Sequence, residues 1–308
     1  MIFDLSAKSE GVCFTFKMFN YESMKIGSLL SRLLLFANGL SLDAPLVAVA
    51  WQEIAAHQLN GPLQNYERLL LFMATWLVYA GDRLLDSRGV LTSVVDIPRH
   101  QFVARNFWPL LCLWIVLLMT TAVMTWLCLN PSAILIAVFI LGLLGGYFAL
   151  CLWLPIARWV IPREVIVSLF FIVAVLFFPL LEASPPINQE LAFTLIRFSI
   201  PSGGLILLNC LGIASWEAEM DRQAGESTLA TRFPFVVKFF PGIAIATGIV
   251  FLLIDRLLVH EWNIFGGSVC TAAIMIGLLD SAWIPQDLKP ILADAMLIVP
   301  FAIQAIVL

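Results

Sequence analysis

The chain has 308 residues, of which 61% are hydrophobic and 12% charged, where a soluble globular domain carries about 25% charged residues. That composition excludes a single water-soluble core and, at about 20 residues per span, supports about nine transmembrane helices. The 17 Lys and Arg against 21 Asp and Glu give a net charge of −4, without the basic surplus that neutralises a phosphate backbone, so nucleic acid is excluded as a partner.

The first 25 residues carry Asp4, Lys8, Glu10, Lys17, Glu22 and Lys25 with no uninterrupted apolar run, which reads as a cytosolic segment ahead of a membrane domain over 26–308. Apolar stretches bounded by charge, Pro or Gly then predict spans at 31–57, 66–86, 107–129, 131–154, 163–183, 191–214, 236–258, 262–284 and 289–308. Pro45, Pro109, Pro201 and Pro300 fall inside these runs, where neighbouring helices re-satisfy freed backbone groups and kinks are expected. The longer polar connections, 87–106 and 215–235, are expected to cap a central cavity. The six cysteines form no C-x-x-C pair, so neither a zinc site nor a disulfide framework is indicated. His57, His100 and His260 are dispersed, which leaves a histidine metal site without support.

Lys and Arg accumulate on the cytoplasmic side of membrane proteins. With the N-terminus inside, every basic residue except Arg68, Arg197 and Arg256 falls at a cytoplasmic end or loop. The expected topology is therefore a multi-pass protein of the cell (inner) membrane, with the N-terminus and both long polar connections in the cytoplasm.

Two acidic rows stand out on that side. The second span ends in LVYAGDRLLDSRG, which places Asp82 and Asp86 four residues apart on one helix face. After the sixth span, SWEAEMDRQAGESTLATRF repeats the spacing in Glu217 and Asp221, with Glu219 on another face. A carboxylate at membrane depth costs about 2.5–3.5 kcal/mol by insertion scales and is functional by default. Mg²⁺ takes one or two carboxylates and fills its remaining positions with water and phosphate oxygens. Two facing acidic rows are therefore candidates to hold a diphosphate between Mg²⁺ ions. For either row alone, solvated charges paired with Arg83, Arg88 or Arg222 would be the simpler reading.

With these residues the sequence resembles the UbiA superfamily of intramembrane prenyltransferases, whose first motif is N-D-x-x-D-x-x-x-D. Asp82 and Asp86 occupy its last two marked positions, while Val78 and Tyr79 stand where the family has Asn and Asp. The second motif, D-x-x-D-x-E-x-D followed by Gly and Thr-Leu, is matched by Glu217, Glu219, Asp221, Gly225, Thr228 and Leu229, with Ala214 in place of the leading Asp. The PRE sequence at Pro162 to Glu164 and LADAMLIVP at 292–300 are similar to weaker family features.

The resemblance implies an all-helical bundle and Mg²⁺-dependent ionisation of an allylic prenyl diphosphate, whose cation an aromatic or lipid-like hydrophobic acceptor captures. It implies Asp82, Asp86, Glu217 and Asp221 as the catalytic metal ligands. Arg99 and Arg163, and after them Arg88 and Arg222, are the diphosphate-clamping candidates, since guanidinium matches phosphate bidentately. Tyr79 is a candidate phenolic donor to phosphate and Asn209 a neutral ligand. Asn38 and Asp43, the latter expected mid-membrane, are candidate acceptor contacts. Asp280 and Asp294 are expected to serve only as structural pairs or caps. An intramolecular terpene cyclase of the same superfamily, a non-catalytic isoprenoid-binding protein and a secondary transporter stay open beside the transferase.

Overall fold

The computed structural model describes residues 36–90, 98–153, 162–183, 188–224, 227–259 and 264–307. The 1–25 segment and Gly225 lie outside the described residues, as do the side chains of Asp86, Arg88 and Arg99. Every regular element described is helical: α1 (Asp43–Leu59), α2 (Asn65–Val90), α3 (Pro98–Arg105), α4 (Phe107–Cys128), α5 (Pro131–Trp153), α6 (Arg163–Ala183), α7 (Gln189–Ala224), α8 (Leu229–Arg232), α9 (Pro234–Val259), α10 (Ile264–Leu278), α11 (Lys289–Met296) and α12 (Val299–Val307).

Helix occupies part of each of the nine expected regions. Six stretches are long and apolar enough to cross a bilayer: α4, α5, α6, α7, α9 and the run Gln286–Val307. These make the chain a multi-pass membrane protein by length and composition. The other three regions are helical but differ from a uniform span. The 17 residues of α1 and 15 of α10 are short, and the 26-residue α2 carries Glu67, Arg68, Asp82 and Arg83.

Boundaries depart from the expected ones where local chemistry competes with hydropathy. The stretch 31–57 is not one helix, because a helical turn at 36–39 stops and α1 restarts at Asp43. Ser41 adopts φ 57°, a left-handed conformation that interrupts the helix. Pro45 then sits in the first turn of α1, where its missing N–H costs nothing. Asp43 consequently begins a helix and does not lie in the middle of one. The last stretch breaks between α11 and α12, since Pro300 has no N–H to give the Met296 carbonyl. Towards the cytoplasmic end expected from the sequence, α7 runs ten residues past the expected end at 214, to Ala224. Its tail, WEAEMDRQA, is polar but rich in strong helix formers.

Both interruptions expose carbonyls that apolar surroundings cannot satisfy, and tryptophans supply the donors. Trp76 Nε1 donates to the Leu40 carbonyl at 2.8 Å, and Trp51 Nε1 to the Leu297 carbonyl at 3.0 Å. Each indole thus buries its rings in the core and closes a broken helix end.

Around them, α1 is the axis of the bundle, packing against α2, α6, α7, α11 and α12. Trp51 meets Phe198 and Phe265 edge-on, and those two rings stack with centroids 5.8 Å apart. The α9 and α10 pair approach closely because Gly277 faces Ala244 and the Pro241 carbonyl, with no room for a side chain. In contrast, α4 and α5 lie at the periphery with Trp126, Leu127, Leu135 and Val138 exposed, as lipid-facing surface should be.

Candidate functional site

The end of α2 carries Asp82 on a helix that stays intact past Asp86. The structure brings Asp82 to Arg163, the first residue of α6, in an ion pair. The carboxylate side chain is 20% exposed and the guanidinium 56%, so the pair faces an accessible region.

The second row lies on the polar tail of α7, where Glu217 and Asp221 are partly exposed and share one helix face. Glu219 points to the surface and accepts a hydrogen bond from Arg222 at 2.5 Å. Trp216 holds this tail in place: its Nε1 donates to Asp280 at 2.9 Å, and Gln286 donates to its carbonyl at 2.5 Å. Lys289 lies 3.6 Å from Asp280, which completes the structural role expected of that aspartate.

Beyond Asp221 the chain turns into α8, whose start is defined by a reciprocal capping arrangement. The Thr228 hydroxyl accepts from the Thr231 N–H, and Thr231 Oγ1 accepts from the Thr228 N–H. The Leu229 N–H donates to Glu164 Oε1 at 2.8 Å. Glu164 is 6% exposed and its other oxygen, Oε2, has no partner. Arg163 and Glu164, consecutive at the start of α6, therefore hold the first acidic helix and the segment following the second.

Among the described residues no group of three or more His, Cys, Asp or Glu is gathered as a metal cage. The donor set nonetheless suits Mg²⁺, a hard cation that needs few carboxylates when phosphate completes its shell. Asp82 retains access, and Glu217 and Asp221 are side by side on one face.

A second constellation lies deeper. Asn38 Nδ2 donates to Asp43 Oδ2 at 2.5 Å, and the Ala44 N–H to Asp43 Oδ1 at 3.0 Å. The Asn38 carbonyl in turn accepts from Arg83. From the far end of the chain Asp294 comes within hydrogen-bonding reach of Asp43, and Asn209 Nδ2 donates to Asp294 Oδ1 at 2.7 Å. Tyr79 lies within electrostatic range of Cys210, Asp294, Asp43 and Arg163. Tyr79, Cys210 and Asp294 are surrounded by protein, yet each keeps some accessible surface. A water-sized cavity bounded by Leu40, Ser41, Trp76, Ala80 and Arg83 adjoins the Asn38 end.

Of the residues singled out from sequence, the structure joins Asp82 to Arg163, Asn38 to Asp43, and Tyr79 to the neighbourhood of both. Arg222 is engaged by Glu219 on the surface. Asn209, expected as a neutral ligand near Ala214, instead bonds Asp294. Sequence reasoning expected of Asp294 a structural pair or a cap without naming Asn209, and gave Glu164 only a place in a weak motif. Neither partner is local, with 85 residues between Asn209 and Asp294 and 65 between Glu164 and Leu229, so no spacing rule could reveal them. Comparison with protein-family models, curated proteins and solved structures finds no match to the chain.

Proposed function

We propose that the chain is an integral-membrane prenyltransferase that moves a prenyl group from an allylic diphosphate to a hydrophobic acceptor, with Mg²⁺ as cofactor. The observation that carries the reading is the double anchorage at the start of α6. Arg163 pairs with Asp82, and the adjacent Glu164 accepts from Leu229 just after the second acidic row. Two motifs far apart in sequence are thereby tied to neighbouring residues, as a shared diphosphate site requires.

In this reading nine helical regions cross the membrane and enclose a central chamber open to lipid, with α3 and α8 in its cytoplasmic cap. The partial accessibility of Tyr79, Cys210 and Asp294 inside the bundle supports such a hollow. Asp82, Asp86, Glu217 and Asp221 would hold Mg²⁺, which supplies neutralising charge for the departing diphosphate. Arg163, oriented by Asp82, clamps phosphate oxygens with its planar fork, assisted by Arg88, Arg99 and Arg222. Tyr79, within electrostatic range of Arg163, Asp43 and Asp294, is assigned to bridge the diphosphate and acceptor ends with its phenol. Apolar walls keep water from the allylic cation.

One observation favours a second reading. Helices broken at 40–42 and 297–298 beside deep carboxyls are also what an ion-coupled transporter presents. Purified protein incubated with prenyl diphosphates of several chain lengths separates the two. Mg²⁺-dependent pyrophosphate release supports the enzyme, and none at any length favours the transporter or a non-catalytic binder.

A further inference from the structure

Helix α9 has one face that the rest of the chain leaves uncovered. It packs against α7, α8 and α10, and the side turned away from them is apolar and continuous. Phe235, Phe239, Gly242, Ala246, Val250 and Leu253 are all exposed, and their steps of three and four residues line them up as a single stripe. Gly242 on this stripe has nothing within 4 Å of where a Cβ would stand, whereas a Cβ at Gly248, on the opposite side of the helix, would stand 2.9 Å from that of Ala273. Packing within the chain therefore accounts for Gly248 and not for Gly242, although glycine weakens a helix. Gly242 and Ala246, one turn apart, leave a furrow between the larger side chains of Phe239 and Val250.

The furrow has a cationic head. Lys238 is exposed on the same face, with its Nζ 5.3 Å from the centroid of the Phe239 ring. Among the described residues it has no ion-pair partner. Arg232 brings a second positive charge to this end of α9, its Nε donating to Ser227 at 2.9 Å. Lys238 and Arg256 stand 18 residues apart, about 27 Å along a helix, which is close to the hydrocarbon thickness of about 30 Å. That spacing sets Lys238 at headgroup level. One leaflet, about 15 Å deep, then extends about ten residues along α9, so the whole furrow lies within the depth of one acyl chain.

We infer that this face of α9 binds an anionic phospholipid, with the phosphate on Lys238 and an acyl chain in the furrow over Gly242 and Ala246. Two relationships select this occupant. The Lys238 end of α9 is the one expected in the cytoplasm, where the leaflet carries acidic lipids that attract basic side chains. A second copy of the chain, packed on the same stripe about a two-fold axis, would instead bring two Lys238 ammonium groups together. The site needs neither diphosphate nor Mg²⁺ and is independent of prenyl transfer.

Native mass spectrometry of the full chain tests it, with dioleoylphosphatidylglycerol and dioleoylphosphatidylcholine added at equal concentration in detergent. The acidic lipid is expected to bind about fivefold more tightly, the order that one basic side chain contributes at a charged membrane surface. Lys238→Gln should reduce that preference to about twofold or less, while Lys238→Arg should keep it. Arg105→Gln, which removes the same charge from the exposed end of α3, should also leave it intact. Gly242→Leu fills the furrow with Lys238 in place and should weaken binding of the acidic lipid about threefold, through lost contact with the chain. Equal binding of the two lipids, a preference that survives Lys238→Gln, one that falls as far in Arg105→Gln, or undiminished binding in Gly242→Leu would each overturn the inference. So would a dimer that Gly242→Leu dissociates, which would give the stripe to a second copy.

Discussion

Glu164 Oε1 accepts the Leu229 N–H at 2.8 Å across 65 residues of sequence, fastening the start of α8, which follows the second acidic row, to the helix that starts beside the first. A backbone amide held by a buried carboxylate is a charge-assisted bond, stronger than a neutral one. Glu164→Ala should remove it and cost about 1–3 kcal/mol. Hydrogen exchange at the Leu229 amide reports the bond directly, with protection expected to drop in the variant and α4 and α5 left unchanged.

Asp82→Ala and Asp221→Ala should each abolish turnover while leaving a monodisperse, folded protein in detergent. The Asp82–Arg163 pair is more than half exposed on the arginine side, so its contribution to stability is only about 0–1 kcal/mol. A large loss of activity with little change in thermal unfolding is therefore the expected signature. Near-normal activity in either variant would contradict the assignment.

A different carboxylate carries stability alone. Asp255 is 1% exposed and pairs with Arg197 at 2.8 Å, deep between α7 and α9. Asp255→Ala would leave the Arg197 side chain, only 17% exposed, without this carboxylate, at a cost of about 3–5 kcal/mol. Gly266 on α10 lies against this pair, and a Cβ there would stand 2.5 Å from Asp255 Oδ2. Gly266→Ala should thus destabilise by about 1–3 kcal/mol. Denaturation in detergent ranks the two, and a stable Asp255→Ala protein would show the pair to be dispensable.

The proposed nine-span topology makes an accessibility prediction. In a cysteine-free background, Asn130→Cys should react with a membrane-impermeant maleimide added outside intact cells, while Ser227→Cys should react only after permeabilisation. Reversed labelling would invert the orientation derived from the basic residues.

Much of the helical layout is legible in sequence because long apolar runs have few alternatives in a bilayer. The i, i+4 spacing of Glu217 and Asp221 also survives on α7. Arg163, expected to clamp diphosphate, is instead the ion-pair partner of Asp82, a role expected from sequence to fall to Arg83, Arg88 or Arg222. Hydropathy fails where helix propensity and oiliness diverge, as in the tail of α7, and where a single backbone angle intervenes, as at Ser41. The Asp43–Asp294 juxtaposition is invisible for another reason. It depends on α1 and α11 packing together, and nothing within either segment encodes its neighbour.

The indole bonds from Trp51 and Trp76 to the carbonyls of Leu297 and Leu40 bear on which replacements this protein can tolerate. Phenylalanine is as greasy as tryptophan and similar in outline, so a profile based on oiliness treats the exchange as silent. At these two positions it would leave a bare oxygen in a dry interior, where no solvent can compensate. Drift at Trp51 and Trp76 is thus policed by a single nitrogen, while Trp126, facing outward and 76% exposed, is free to become any apolar residue.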